Sequence, residues 1–229
     1  MNYNQIIKGS FIERQNRFKA VCEISSGNIA VHVKNTGRCR ELLVPNATVL
    51  LEKSTSPLRK TPYSLVAVMK GNRLINMDSQ APNKAVYEAL QSGKIDLALG
   101  KITYIKPEAK YGNSRFDFYV ETERHKIFIE VKGVTLEKNN IAMFPDAPTE
   151  RGIKHITELT KAVSEGFKAF VIFVIQMKNP RLFTPNTETH PEFAVALQLA
   201  AEQGVIVEAY DCNVYESGMD IADKITVVL

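Results

Sequence analysis

Three side chains in two neighbouring apolar runs have the types and spacing that phosphodiester chemistry needs. Asp117 lies in SRFDFYV, and Glu130 and Lys132 lie in KIFIEVKG. Residues i and i+2 of a strand share a face, so Glu130 and Lys132 point the same way. In the first run we place Phe116 and Phe118 on the apolar face, which puts Asp117 on the other. A hairpin of the two runs would then set Asp117 beside Glu130.

Two carboxylates and an amine on one patch predict a metal-dependent hydrolytic site. Carboxylates hold Mg²⁺ or Mn²⁺, hard cations that prefer oxygen ligands and keep some of their waters. Such a cation polarises a phosphate and lowers the pKa of a bound water. Lys132 could orient the attacking hydroxide and offset charge on the phosphoryl oxygens. The alternative for a Glu-x-Lys strand is a solvated face with weak ion pairs. Gly133, the Asp-bearing strand before it and the helix after it favour a cleft.

The elements that position these residues form the second of two predicted domains, residues 81–229. A helix opens at Pro82 in NKAVYEALQSG and ends at Gly93, and strands follow at ITYIKP, SRFDFYVE, KIFIEVKG and VTLEKNNIAMF. TERGIKHITELTKAVSEG predicts a helix capped by Thr149, with Gly166 just past its end. The buried strand AFVIFVIQM, the helix PEFAVALQLAAEQG and the strands VIVEAYD and KITVVL complete an α/β domain with a mixed sheet.

The first domain, residues 1–80, is predicted to be all β. Five short runs rich in Val, Ile, Leu and Phe are separated by turn-forming groups: FKAVCEI, NIAVHVK, ATVLLEK, YSLVAVMK and RLINMD. Five strands in so short a stretch suit a small OB-like barrel, a fold that binds oligonucleotides across one face. A fragment of a β-sandwich is the alternative.

The charge of the chain is unevenly distributed between these domains. Residues 1–80 carry a formal charge of +7 and residues 81–229 carry −3, within a net +4. A basic domain joined to a mildly acidic one predicts a polyanionic partner for the first, although solubility alone is the alternative.

Composition favours a cytoplasmic protein. The 45% hydrophobic and 24% charged residues are ordinary for a soluble globular chain. No apolar run has the length of a membrane span or of a signal-peptide core. Three scattered cysteines argue against a disulfide framework and against a zinc cluster.

Basic residues of the first domain are the candidate nucleic-acid contacts. Three of them flank Asn35, Thr36 and Gly37, small hydrogen-bonding residues suited to phosphate contacts. Phe11 and Phe18 lie between the others, where a stacking platform is one interpretation and a core position the more typical one. The six cations are Arg14, Arg17, Lys19, Lys34, Arg38 and Arg40.

The residues that carry the chemistry also carry a resemblance. Asp117 and then Glu130-Val131-Lys132, followed by a helix, resemble the PD-(D/E)XK nuclease superfamily, which includes restriction endonucleases and Holliday-junction resolvases. NTGRCREL, SRFDFYV, IEVKGVTL and FPDAPTERGIKHITEL together resemble the sugar fermentation stimulation protein A (SfsA) family along nearly the whole chain. The resemblance implies an OB-like domain, a PD-(D/E)XK nuclease-like domain and DNA binding. Phe116, where the superfamily's name has Pro, is a departure.

The resemblance also implies roles for residues on two helices. A polar helix after the lysine strand faces the active site in such proteins, so Arg151 could clamp a phosphate and His155 could shuttle a proton. Glu158 completes their i, i+4, i+7 stripe, with an exposed ion-paired face as the alternative. Glu88 would complete the metal site as a glutamate on the domain's first helix, or be an ordinary exposed residue. Asp146 is expected in a turn, with a contact to the metal as the alternative.

We therefore predict a DNA-binding protein with Mg²⁺- or Mn²⁺-dependent phosphodiester hydrolysis, for which Asp117, Glu130 and Glu88 hold the metal. Its catalytic residues would be Asp117, Glu130, Lys132, Arg151 and His155. One alternative is a non-catalytic DNA-binding regulator of sugar-metabolism genes that retains a nuclease fold. Another is an enzyme acting on a nucleotide or phosphosugar, which would not explain the basic domain. The sequence predicts no membrane partner and leaves a homodimer open.

Overall fold

The computed structural model describes residues 1–35, 37–56 and 58–229, so that Thr36 of the basic loop lies outside the described residues. The chain first forms a six-stranded sheet of order β3-β2-β1-β4-β5-β6. Its strands are β1 (Ile6–Asn16), β2 (Lys19–Ile24), β3 (Gly27–Val33), β4 (Thr48–Lys53), β5 (Tyr63–Lys70) and β6 (Arg73–Asn76).

This sheet closes into the predicted OB-like barrel, because β3 also pairs with β5. The closing ladder is parallel and joins His32 to Ser64 and Val33 to Leu65. The five barrel strands are β1–β5, and β6 extends β5 as a hairpin. The sequence predicts RLINMD as the fifth barrel strand and does not predict β1, so this part of the prediction is wrong. Charges and Gly9 interrupt the apolar alternation of β1, and its pairing with both β2 and β4 determines the strand.

The second domain is an α/β unit with the predicted mixed sheet, of order β15-β14-β12-β9-β8-β7. Strand β9 pairs with β12 and β12 with β14 in parallel, while the outer neighbours are antiparallel. A three-stranded sheet β10-β11-β13 lies beside it. The elements are α1 (Ala81–Ser92), β7 (Ile102–Tyr111), β8 (Ser114–Thr122), β9 (Lys126–Val134), β10 (Leu136–Lys138), β11 (Ile141–Phe144), α2 (Glu150–Ser164), β12 (Lys168–Ile175), β13 (Leu182–Pro185), α3 (Pro191–Glu202), β14 (Ile206–Tyr215) and β15 (Gly218–Ile225).

Helices cover both faces of the large sheet, so its central strands are buried on both sides. Ile129 and Val131 of β9 belong to the apolar cluster of α1. Phe128 of β9 and Phe173 of β12 belong to the cluster of α2 and α3. This burial explains the unbroken apolar run of β12.

Capping residues and glycines in the sequence predict the helices α1 to α3 correctly, whereas the predicted last strand, KITVVL, is wrong. Thr149 caps α2 by accepting the N–H of Gly152 at 3.0 Å, and Gly93 adopts a left-handed conformation at the end of α1, as predicted. KITVVL does not form a strand of its own, because β15 ends at Ile225 and Val227 makes an isolated bridge to Phe183. The short strand β13 had not been predicted.

The barrel is joined to the second domain by a buried polar network. The side-chain amide of Gln176, at the end of β12, donates to the Asn76 side chain at 3.0 Å and to the Asp78 carbonyl at 3.1 Å. Gln176 also lies against Gly133, where an added Cβ would stand 2.6 Å from its Oε1. The residues linking β6 to α1 are therefore fixed to the end of β9. Among the described residues, no helix is long and apolar enough to cross a membrane.

Candidate active site

Strand β9 holds Glu130 and Lys132 at the middle of the large sheet. Its parallel ladder with β12 pairs Glu130 with Val171 and Lys132 with Phe173. The two side chains lie on the face covered by α2, since Ile129 and Val131, which alternate with them, pack against α1. Glu130 is 3% exposed, so its carboxylate must find partners inside the protein.

Asp117 stands where β8 departs from regular alternation. The β8–β9 ladder ends at the pair Phe118–Ile129, and one further step would set Asp117 opposite Glu130. There the Asp117 carboxylate instead accepts the backbone N–H of Val131 at 2.7 Å. The prediction that Phe116 and Phe118 share an apolar face is wrong. Phe116 packs with the α2 cluster and Phe118 with the α1 cluster, because the strand twists as it leaves β9.

Among the residues that the structure describes, one oxygen of the Glu130 carboxylate has hydrogen-bond partners. Its Oε1 accepts from Lys132 Nζ at 2.6 Å and lies 2.5 Å from His155 Nδ1. Arg151 Nε lies 3.4 Å from His155 Nε2, and as its donor it assigns the imidazole proton to Nδ1. Glu130 Oε2 is buried and has no hydrogen-bond partner among the described residues. A buried carboxylate oxygen without a partner is costly, so this atom is suited to a cation.

The two carboxylates respond oppositely to their surroundings. Burial, and then the negative charge of Glu130, raises the pKa of Asp117 to about 6, although Val131, Asn83 and Lys132 oppose the shift. Burial also opposes ionisation of Glu130, but His155 and Lys132 outweigh it and hold the Glu130 pKa below its ordinary value. The arrangement keeps one carboxylate charged and leaves the other ready to lose its proton when a cation arrives.

The residue that α1 contributes to the site is Asn83, and not Glu88 as predicted. Asn83 Nδ2 donates to Asp117 Oδ1 at 2.6 Å. One turn further along the same stripe, Tyr87 stacks on Phe118. Glu88 is turned away from this stripe and binds the α-ammonium group of Met1 at 2.6 Å. The stripe of α1 facing β8 could not be identified before the packing was known.

The predicted polar stripe of α2 consists of Arg151, His155 and Glu158, and its N-terminal end lies at the site. His155 contacts Glu130, whereas Glu158 lies by the β7–β8 turn, with its Oε2 3.6 Å from where a Gly112 Cβ would stand. Asp146 lies in the connection from β11 to α2, as expected of a turn residue. Its Oδ2 would be 2.5 Å from a Cβ at Gly37, so the basic loop of the barrel abuts the segment that leads into α2.

Two of the six predicted nucleic-acid contacts have internal partners. Lys34 Nζ bridges Glu52 and Asp78 at 3.0 Å each, which makes this lysine part of a partly buried ion pair network. All five donors of the Arg14 guanidinium face backbone carbonyls. The acceptors are Asn16 (3.2 Å), Arg17 (2.8 Å), Asn35 (2.6 Å), Gly37 (2.7 Å) and Arg38 (2.8 Å). Arg14 therefore ties the β1–β2 turn to the basic loop.

The other four cations, Arg17, Lys19, Arg38 and Arg40, are exposed. Arg17, Arg38 and Arg40 line a depression of about 290 Å³ whose wall also includes Arg14, Asn16 and Leu43, and which we call the arginine depression. Phe11 is in the core at 2% exposure, whereas Phe18 is 54% exposed beside Arg17. The larger cavity of about 660 Å³ between α1 and β7 brings no comparable set of cations together.

Asp117 and Glu130 offer oxygen donors to a metal ion. Among the described residues, no group of three or more His, Cys, Asp or Glu side chains could hold an ion. Two carboxylates with one unpartnered buried oxygen fit Mg²⁺ or Mn²⁺, whose remaining ligands are commonly water and substrate oxygens. This composition is unlike the Cys and His sets that hold structural zinc.

Family models match both domains. The model described as the SfsA N-terminal OB domain matches residues 12–77, and the model described as the sugar fermentation stimulation protein RE domain matches residues 80–218. The chain belongs to the SfsA family. The matched ranges meet between β6 and α1, and the second contains every residue of the candidate active site.

Relatives extend the family along the full chain. Sugar fermentation stimulation protein homologs of Clostridium beijerinckii and Ruminiclostridium cellulolyticum are 58% and 56% identical over 229 residues, covering 100% of each chain. A solved structure described as Pyrococcus furiosus SfsA in complex with Ca²⁺ superposes with a TM-score of 0.91 at 27% identity. The match covers 100% of this chain and 98% of that one.

Proposed function

We propose that the protein binds DNA and hydrolyses phosphodiester bonds at Asp117, Glu130 and Lys132 with a bound Mg²⁺ or Mn²⁺. The observation that carries the proposal is Glu130, a buried carboxylate with one oxygen held by Lys132 and His155 and the other without a partner among the described residues. A divalent cation would satisfy that oxygen. When bound, it supplies positive charge to the phosphate and lowers the pKa of a bound water.

A solved relative supports a hard cation in this family. The Pyrococcus furiosus structure is described as a complex with Ca²⁺, which prefers oxygen ligands as Mg²⁺ does. We assign the same class of ion to Asp117 and Glu130.

The side chains around the two carboxylates would then have separate roles in binding and hydrolysis. Lys132 lies beside the carboxylates, where its ammonium group can orient the attacking water and offset charge that develops on phosphoryl oxygens. His155 lies 2.5 Å from Glu130 through Nδ1 and faces Arg151 with its other nitrogen, so it would hold the carboxylate in place. Arg151 is exposed and could bind a non-bridging phosphate oxygen. Asn83 fixes the rotamer of Asp117.

DNA binding is supported by the uneven charge and the arginine depression. The first 80 residues carry +7, and three exposed arginines converge on one concave surface of the barrel. Phosphate contacts by arginine supply most non-specific affinity for DNA.

The test separates chemistry from binding. Lys132→Ala should abolish Mn²⁺-dependent nicking of plasmid DNA while its DNA dissociation constant changes less than about threefold, because an interaction made mainly in the transition state affects turnover alone. Glu130→Ala should lose cleavage and metal binding together. Gel-shift and nicking assays on the same preparations measure both, with Lys138→Ala as an exposed lysine control and circular dichroism as the check on folding.

The second candidate function is a non-catalytic DNA-binding regulator. The printed name of the relatives, sugar fermentation stimulation protein homolog, favours it because it describes a regulatory effect and no cleavage. DNA binding by a wild-type protein that cleaves no DNA form with any divalent metal would establish this alternative. Equal cleavage by Lys132→Ala and wild type would place the activity elsewhere.

A further inference from the structure

The turn between β1 and β2 presents an aromatic ring to solvent on a rigid backbone. Phe18 is 54% exposed, although its own N–H donates to Asn16 Oδ1 at 2.9 Å and its carbonyl accepts from Val33 at 2.9 Å. Arg14 holds the same turn through the carbonyls of Asn16 and Arg17. The exposure of Phe18 is therefore fixed by the fold and does not result from a loose chain end.

The same turn forms one side of the arginine depression. Asn16 and Arg17 line it from the turn, and Arg38 and Arg40 line it from the loop that follows β3. In the described part of the chain, the salt bridges involve none of these three arginines. An exposed ring next to unpaired guanidinium groups matches the alternation of bases and phosphates in a nucleic-acid strand.

We propose that Phe18 and the arginine depression bind a single-stranded nucleic-acid segment. Phe18 stacks on an unpaired base, and Arg17, Arg38 and Arg40 hold the adjacent phosphates. The bases of a duplex are already stacked on one another and offer no free face to the ring. The proposal rests on the proposed function for the nature of the partner, and it adds the strandedness of the bound segment.

The position of the loop connects this site to the candidate active site. Gly37 abuts Asp146, which precedes α2 with Arg151 and His155. On the other side, the Lys34 carbonyl accepts from Ser79 Oγ at 2.5 Å, just before α1 with Asn83. The loop thus contacts the segments leading into both helices that border Asp117 and Glu130. A strand held in the arginine depression would therefore lie on the side of the barrel that contacts these two segments.

The absence of tryptophan from the chain gives a direct measurement. Phe18→Trp introduces a single indole whose emission should be quenched and shifted by oligo(dT) in metal-free buffer, and much less by a blunt duplex of equal phosphate concentration. Inorganic phosphate should leave the emission unchanged, which distinguishes a strand from a free anion. Tyr215→Trp is the matched control, since Tyr215 is 47% exposed at the end of β14 and should not respond.

The affinities of Phe18→Ala and wild type for different DNA forms provide a second measurement. Phe18→Ala should weaken oligo(dT) binding by about 5- to 150-fold, the range expected for one lost base stack, and leave duplex binding within about twofold. Against a strand of abasic sites, Phe18→Ala and wild type should bind equally.

The outcomes separate this inference from the proposed function. Duplex binding and cleavage, together with an indole emission of Phe18→Trp that no oligonucleotide changes, would overturn the single-strand site and leave the nuclease proposal standing. Quenching by oligo(dT) without cleavage of any DNA would do the opposite. Quenching by anionic lipid vesicles or a phosphopeptide, but not by oligo(dT), would also overturn the inference.

Discussion

At the scale of single residues, Glu130 and Asp117 are carboxylates with different tasks. Glu130 is kept ionised by Lys132 and His155 despite its burial. Asp117, with both oxygens accepting hydrogen bonds, has its pKa raised to about 6 by burial and by the charge of Glu130. A bound cation would stabilise the charged forms of both, so the metal-free site is electrostatically unfavourable above neutral pH.

Metal binding should depend on this pair and not on Glu88. We expect Asp117→Asn and Glu130→Gln to lose Mn²⁺ binding in calorimetry, because each removes an anionic oxygen ligand. Glu88→Gln should bind Mn²⁺ as wild type does, since Glu88 contacts the α-ammonium group of Met1. Loss of binding in Glu88→Gln with retention in Asp117→Asn would contradict the assignment.

The raised pKa of Asp117 predicts a pH-dependent stability in the absence of metal. The pKa is about 6 in the folded protein against an ordinary 3.8, so the native state binds the extra proton between those values and stability falls as pH rises through them. Asp117→Asn should therefore be more stable than wild type at pH 8 by ~1–3 kcal/mol, with the difference vanishing near pH 4. Urea unfolding in chelator at both pH values measures it. A constant difference across the range would contradict the shift.

At the scale of elements, two irregular segments shape the proposed sites. Strand β8 twists at Asp117, so that this side chain turns to α1 and to the Val131 N–H. The loop after β3 has no regular structure in its described residues. The Arg14 guanidinium, which we call the Arg14 fork, connects this loop to the β1–β2 turn through hydrogen bonds to backbone carbonyls. Both segments depend on side chain–backbone hydrogen bonds, which stabilise conformations that neither a helix nor a sheet provides.

The Arg14 fork should be sensitive to a change that keeps its charge. Arg14→Lys has three donors without the planar geometry, so the carbonyls of the turn and the loop lose shared partners. We expect a loss of ~1–3 kcal/mol in the free energy of unfolding and a weaker affinity for DNA, because Arg17 and Arg38 lose their relative placement. Arg115→Lys, an exposed arginine paired with Glu108, is the control. An unchanged DNA affinity in Arg14→Lys would indicate that the loop holds its shape without the fork.

At the scale of the whole molecule, charge and topology place a basic barrel next to a candidate active site. The Gln176 network joins the barrel to the end of β9, and the loop at Gly37 joins it to the start of α2. Affinity and cleavage are therefore expected from different domains that are packed together.

Affinity for DNA should fall steeply with salt, because bound arginines release counterions from the phosphates. Replacing Arg38 and Arg40 with Ala should lower the log–log slope by about 1.4–1.8 in total, at about 0.7–0.9 per contact. Lys126→Ala combined with Lys168→Ala is the charge-matched control, since these exposed lysines start β9 and β12 at the far end from Lys132. Equal slopes in the two double variants would exclude the arginine depression as the phosphate-binding surface.

The fold class, the helices α1 to α3 and the grouping of Asp117, Glu130 and Lys132 could all be predicted from the sequence. Period-two runs, Pro82 and Thr149 at helix starts, and glycines past helix ends are local signals that survive in any context. Glu130 and Lys132 could be assigned to one face because residues i and i+2 of a strand share a face, whereas the bond from the Val131 N–H to Asp117 is known only from the structure.

Tertiary structure decided which of the remaining polar residues contribute to the sites. Asn83 instead of Glu88 reaches Asp117, because packing sets the rotation of α1. Arg14 is a scaffold for the loop and Lys34 part of an ion pair network, because their partners come from segments distant in sequence. The exposure of Phe18, and a Glu130 oxygen without a partner in the described part of the chain, also result from packing. Residue type and spacing fix which chemistry is available, whereas long-range contacts fix which donors and acceptors remain free to perform it.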